Sequence, residues 1–138
     1  MKPRLSVLTI GVDDLEASMR FYKELGLQTE GIVGNEFEHG AVVFFNLNGG
    51  LTLSLWPRRE IAWDAKIPLG KPSASEFTIG HLVNSKKEVD EVMKQAEDAG
   101  GKVVKHAQDT FWGGYAGYFQ DPNGHLWEVA WNPQIKVE

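Results

Sequence analysis

The stretch FWGGYAGYFQDPNGHLWEVAW, Phe111 to Trp131, decides how this chain is read. At its centre, Asp121-Pro122-Asn123-Gly124 puts proline and glycine where a tight turn needs a preset φ and a position without Cβ. The flanking runs, Tyr115–Phe119 and His125–Trp131, therefore form a hairpin. Side chains alternate along a strand, so His125, Trp127, Val129 and Trp131 share one face while Leu126, Glu128 and Ala130 share the other. The bulky set is expected to meet a helix, which turns Glu128 to the concave side. Gly113-Gly114 and Gly117 lack the lysine and Ser/Thr of a phosphate loop and are read as turn and bulge positions.

Working outward, Phe77–Val83 reads as a strand, and Ser85-Lys86-Lys87-Glu88 is a capping box. It opens a helix with Val89, Val92, Met93, Ala96 and Ala99 inward, ended by Gly100-Gly101, after which Lys102–His106 is a strand. The first half repeats this order. Leu5–Val12 is a strand and Asp13-Asp14 supplies cap oxygens. Leu15, Met19, Tyr22 and Leu25 recur at helical spacing up to Gly26. Strand-like runs follow at about Gln28–Val33, Ala41–Leu47 and Leu51–Trp56, the last two split by Asn48-Gly49-Gly50. Each half thus reads βαβββ.

The fold class expected is α+β: one domain over 1–138, in which paired βαβββ modules form a curved eight-stranded cup. Module one covers about 4–56, a linker or lid about 57–75, and module two about 76–133. The linker carries Pro57, Pro68, Gly70 and Pro72, together with Trp63.

Cysteine is absent, which excludes disulfides and thiolate metal sites. A formal net charge of -5 argues against nucleic acid, whose binders show a basic patch. Arg58-Arg59 and Lys86-Lys87 are read as solvated charges. No run approaches the roughly 20 apolar residues of a membrane span, so a cytoplasmic protein without membrane partners is expected. Aromatic residues are dense, with 5 Trp, 3 Tyr and 7 Phe. Phe45, Trp127 and Trp131 hold core-like positions, whereas Trp56, Trp63, Trp112 and Tyr115 fall at strand ends or in loops, where they can stack on a planar ligand. Such contacts are worth about 1 kcal/mol each. The four histidines, His39, His81, His106 and His125, do not pair at ligand spacing and are read as structural. His81 is expected in the core, His106 at a strand end, and either of these two before the others should one act.

Phe111-Trp112-Gly113-Gly114-Tyr115 with Phe119 through Glu128 resembles the closing hairpin of vicinal oxygen chelate proteins, the glyoxalase, bleomycin resistance and ring-cleaving dioxygenase relatives. Val12-Asp13-Asp14-Leu15-Glu16, Phe21-Tyr22 and Leu25-Gly26-Leu27 resemble the same class's opening strand and helix. In metal-using members an ion is held by one side chain each from the first, fourth, fifth and eighth strands. Carried over, those positions fall at Val7, at Ser54 (Thr52 if the register slips by two), at Thr78 and at Glu128. Only Glu128 is a ligand-type side chain, so no metal and no other cofactor are expected, although Glu76 shares the parity of Thr78.

The resemblance implies a glyoxalase- or bleomycin-resistance-like protein that binds a small planar or cationic molecule through Val7, Thr9, Ser54, Trp56, Trp63, Thr78, Trp112, Tyr115 and Glu128. One alternative is a metal-dependent lyase or isomerase similar to lactoylglutathione lyase, with Glu128 as catalytic base or ligand. Another is a non-catalytic dimeric scaffold. A homodimer is expected in each case.

Overall fold

The computed structural model describes residues 1–138, and the chain divides into two compact units, Met1–Lys71 and Pro72–Glu138. The first unit contains β1 (Val7–Val12), α1 (Leu15–Glu24), β2 (Ile32–Val33), β3 (Val42–Asn46), β4 (Thr52–Pro57) and α2 (Arg58–Ala65). The second contains β5 (Ile79–Val83), α3 (Lys86–Asp98), β6 (Lys102–Asp109), β7 (Tyr115–Gln120) and β8 (Leu126–Trp131). Each builds a four-stranded mixed sheet, ordered β1-β4-β3-β2 in the first and β5-β8-β7-β6 in the second. In both, the first strand runs parallel to the last and the remaining pairs are antiparallel. The fold is α+β, and the two βαβββ modules stand as expected.

In the first unit α1 starts where the Asp14 side chain accepts from the Ala17 N–H at 3.0 Å, a cap worth about 1 kcal/mol. It ends before Gly26, whose φ of 99° only glycine adopts without steric cost. Of the expected stripe Leu15, Met19, Tyr22 and Leu25, Tyr22 is fully buried and the other three half-buried, while Ser18 and Phe21 join Tyr22 inside, so the inner face is centred slightly to one side of the expected one. Tyr22 packs on Phe45, and Ile10, Val12, Val43, Leu53 and Leu55 are buried on the same side of the sheet.

Three elements differ from expectation. β2 pairs only over Ile32–Val33, because Gly31 turns at φ 100° and its N–H is taken by the Thr29 hydroxyl at 3.2 Å. β6 continues past His106 to Asp109, bulging between Val103 and Lys105 and between Lys105 and Gln108. His106 is therefore inside a strand, and Gly117 on β7 gives the bulged backbone room, since a Cβ there would lie 3.0 Å from the Ala107 nitrogen.

The third difference is α2, which occupies the first half of the expected linker. Pro57 closes β4 and caps the helix, residues 58–65 contain neither proline nor glycine, and Lys66 ends it in the left-handed conformation, φ 58° and ψ 46°. The punctuation of Pro68, Gly70 and Pro72 applies only after that point. No residue of α2 is fully buried, so it carries no apolar stripe for periodicity to detect. Polar contacts hold it instead. Arg58, expected as a solvated charge, crosses Gly11 and pairs with Asp13 at 2.8 Å.

In the second unit the Ser85 hydroxyl accepts from the Glu88 N–H at 3.1 Å, and the Glu88 carboxylate reaches back to the Asn84 N–H at 2.7 Å. This is the capping box displaced by one residue on its return leg. α3 buries Val89, Met93 and Ala96 over β6, β7 and β8, against a core of Phe119, Trp127 and Val129. The decisive turn forms as read: the Asp121 carboxylate accepts from the Asn123 and His125 N–H groups, both at 2.9 Å, and Gly124 takes φ 87°.

Candidate functional site

Pairing fixes the faces of the first sheet. Val7 stands opposite Thr52, Thr9 opposite Ser54, Gly11 opposite Trp56, and Phe44 on β3 opposite Ser54. Because Leu53 and Leu55 face α1, the side away from the helix presents Val7, Thr9, Phe44, Thr52, Ser54 and Trp56. Four expected site residues of this unit, Val7, Thr9, Ser54 and Trp56, are thus brought onto one open surface. Val7 and Thr9 are exposed, and Ser54 is buried among its neighbours.

At one end this face sinks into a hollow of about 640 Å³, walled by Val7, Val33 and Phe44 with Glu30, Asn46 and Thr52 as polar groups. No Lys or Arg lines it. Phe44 and Glu30 escaped the sequence reading. Phe44 was detectable as the residue between the core positions Val43 and Phe45, whereas Glu30 arrives through an irregular turn that carries no periodic signal.

At the other end, Trp56 donates its Nε1 proton to the His39 carbonyl at 3.2 Å. The imidazole of His39 stacks on Trp63 of α2, with centroids 3.7 Å apart and planes 18° from parallel, and its Nδ1 faces the Glu60 carboxylate at 2.5 Å. Trp63 therefore belongs to a helix and rests on His39 while remaining exposed.

In the second unit Glu128 lies opposite Tyr118 and Gly80, on the side away from α3. Its Oε2 accepts from the Tyr118 hydroxyl at 3.0 Å. That hydrogen bond, then burial and the carboxylate charge, raise the Tyr118 pKa above 10.0, so the phenol remains a donor at neutral pH. Small residues flank the pair, with Ala116 opposite Ala130 on the same face. Tyr118 was missed, though its parity with Gln120 and Ala116 marks it. Thr78 precedes β5 and is exposed, and Glu76 lies in the turn before it, outside any strand.

The second unit also positions the rings of Tyr115 and Trp112. Tyr115 lies opposite Trp131 on the α3 side, where its hydroxyl donates to Asp90 at 2.8 Å and Lys86 sits 5.5 Å above its ring. It does not share a face with Glu128, because its parity on β7 is that of Phe119. Trp112 is exposed but folds its ring onto Gly114, where a Cβ would come within 2.0 Å of it.

His81 is corrected, since it is exposed rather than in the core. It shares the α3 side with Val129, but it stands on β5, at the edge of the sheet, beyond the strands that the helix covers. Its neighbours still desolvate it enough to lower its pKa below 6.5. A lowered folded value means the unfolded chain takes up the proton first, so stability is complete above pH 6.5 and falls as pH drops through the folded pKa. Chemical denaturation at stepped pH is expected to show this loss reduced in His81→Gln. An identical pH slope in the two proteins would refute the assignment.

The fold and these faces define a vicinal oxygen chelate protein. The Glyoxalase/Bleomycin resistance protein/Dioxygenase superfamily model matches residues 4–129, and the chain belongs to that family. A glyoxalase-related enzyme from Fulvimarina pelagi is similar at 31% identity, with 95% of this chain and 89% of that chain covered and a TM-score of 0.79. A hypothetical protein from S. aureus is similar at 26% identity, covering 96% and 95%, with a TM-score of 0.79. A structure described as lactoylglutathione lyase from Agrobacterium tumefaciens is similar at 25% identity over 100% of both chains, with a TM-score of 0.71. No curated protein matches the sequence.

The metal used by some relatives does not fit the residues present. The carried-over positions hold the hydrocarbon of Val7, the neutral hydroxyls of Ser54 and Thr78, and the single carboxylate of Glu128, already bonded to Tyr118. No group of three His, Cys, Asp or Glu side chains converges to hold an ion. Neutral hydroxyls are poor replacements for imidazole or carboxylate.

No helix is long and apolar enough to cross a membrane.

Proposed function

We propose that this chain is a small-molecule-binding member of its family that takes a planar, neutral or cationic organic ligand without a metal ion. The observation that carries the proposal is the open face of the first sheet, where apolar Val7, Val33 and Phe44 surround Glu30, Asn46 and Thr52 without a cationic side chain. A volume of about 640 Å³ is in the range of small-molecule sites. Ring contacts with Phe44 would supply about 1 kcal/mol each, and Glu30 would offset a ligand's positive charge. The donor set argues in the same direction.

Glu128 supports a second reading, a lyase or isomerase, because its carboxylate faces away from the core and is oriented by Tyr118. A general base needs such orientation. A homodimer belongs to the proposal as well.

The test is a fluorescence titration with planar organic cations and uncharged analogues of equal size, beside metal analysis of protein purified without chelator. Saturable binding that weakens about tenfold in Phe44→Ala, in protein without stoichiometric metal, is expected. Stoichiometric Ni, Zn or Mn, or binding indifferent to Phe44→Ala, would contradict the first reading. Turnover lost in Glu128→Gln with binding intact would favour the second.

A further inference from the structure

The cluster around His39 is more ordered than a solvent-facing loop histidine requires. The loop from Gly34 to Gly40 closes on itself, with Phe37 N–H donating to the Gly34 carbonyl at 3.1 Å and Gly40 N–H to the Phe37 carbonyl at 3.2 Å. At its end the His39 carbonyl is held by Trp56, its ring face by Trp63 and its Nδ1 by Glu60. A carboxylate only accepts hydrogen bonds, so Nδ1 carries a proton. In the neutral ring the lone pair is then on Nε2. Glu38 Oε1 lies 3.9 Å from Nε2, beyond hydrogen-bond reach, and the imidazole remains about one-third exposed at 31%. The Glu60 side chain is only 13% exposed, and its other oxygen lies 3.5 Å from Arg59 Nε, so the carboxylate is fixed between the guanidinium and the imidazole.

We propose that His39, oriented by Glu60, is a proton-accepting and nucleophilic residue at the Trp56 end of the open face, a reactive centre separate from Glu128. Nε2 takes a proton from an O–H, N–H or acidic C–H of a small ligand, the imidazolium is stabilised by the Glu60 carboxylate, and the proton returns to ligand or water. Toward an activated ester the lone pair of Nε2 attacks the carbonyl carbon and the ester C–O bond breaks. The alkoxide or phenolate leaves, and water hydrolyses the acyl-imidazole to the carboxylic acid, restoring the ring. Trp63 covers a ring face and leaves the Nε2 edge available. The inference does not depend on the ligand class proposed above.

The probe is p-nitrophenyl acetate, with a variant carrying His81→Gln, His106→Gln and His125→Gln as the reference for background reactivity. Protein-dependent release of p-nitrophenolate is expected to persist in that reference. It should fall about tenfold or more in His39→Gln and several-fold in Glu60→Gln, consistent with the usual size of acid–base contributions. If His39 only ties the loop to α2, both substitutions lower the melting temperature while hydrolysis stays unchanged, and that result overturns the proposal. Nitrogen-15 NMR of the unaltered protein gives a check that needs no variant. Recorded at alkaline pH, where the ring is neutral, it is expected to show the Nδ1–H tautomer of His39, and the Nε2–H tautomer overturns the proposal.

Discussion

Gly34→Ala is expected to destabilise the first unit by about 2–4 kcal/mol and to release His39 from Trp63. Gly34 sits at φ 82°, and its added Cβ would lie 2.1 Å from the carbonyl oxygen of Gly40. The left-handed conformation alone costs an alanine roughly 1–2 kcal/mol. The contact adds more, because the opposing atom is backbone and cannot rotate away. Gly40 is constrained by the contact alone, since a Cβ there would lie 2.4 Å from the Gly34 oxygen. Relief requires the neck of the loop to open, and the neck positions His39 against Glu60 and Trp63. The denaturant midpoint should fall with the slope unchanged, and tryptophan emission should shift as the stack is lost. A stability change below about 1 kcal/mol would show that the neck yields more easily than its geometry implies.

Phe119→Ala should have the larger effect, about 3–5 kcal/mol, against a total of roughly 5–15 kcal/mol for a domain. Phe119 is 1% exposed, pairs with Trp127 across β7 and β8, and stacks on it with centroids 5.9 Å apart and planes 5° from parallel. Its removal leaves a cavity under α3 that the buried Val89, Met93 and Ala96 cannot fill without moving the helix. The same strands carry Tyr118 and Glu128 on the opposite side, so loosening them would also weaken the 3.0 Å hydrogen bond between those two. Calorimetry or urea titration gives the magnitude. A loss under about 1.5 kcal/mol would mean that this ring is not central to the second core.

The pieces legible in the sequence were those governed by local rules. Asp121 to Gly124 announced its turn, Asp14 and Ser85 announced their helices, and the alternation Trp127-Glu128-Val129 told the two faces of β8 apart. Capping, turn chemistry and period-two patterning act between residues near in the chain, so they survive reading in one dimension. The site was only half legible for the same reason. Val7, Thr9, Ser54 and Trp56 lie on paired strands whose parity can be counted, and they do share a face. Tyr115 shares the parity of Gly117 and Phe119, so counting along β7 turns it to the α3 side, away from Glu128.

What remained needed the third dimension. α2 is held by Arg58 to Asp13 and by Glu60 and Trp63 to His39, contacts that leave no hydrophobic period along the helix. Glu30 enters the hollow through a turn, and Tyr118 becomes the partner of Glu128 only when β7 and β8 pair. The sequence alone determined the paired modules, the caps and the Asp121 turn, since each depends on side-chain identity at a countable position. Tertiary structure decided which polar groups meet, because an imidazole 21 residues from its carboxylate is brought to it only by the packing of loop on helix.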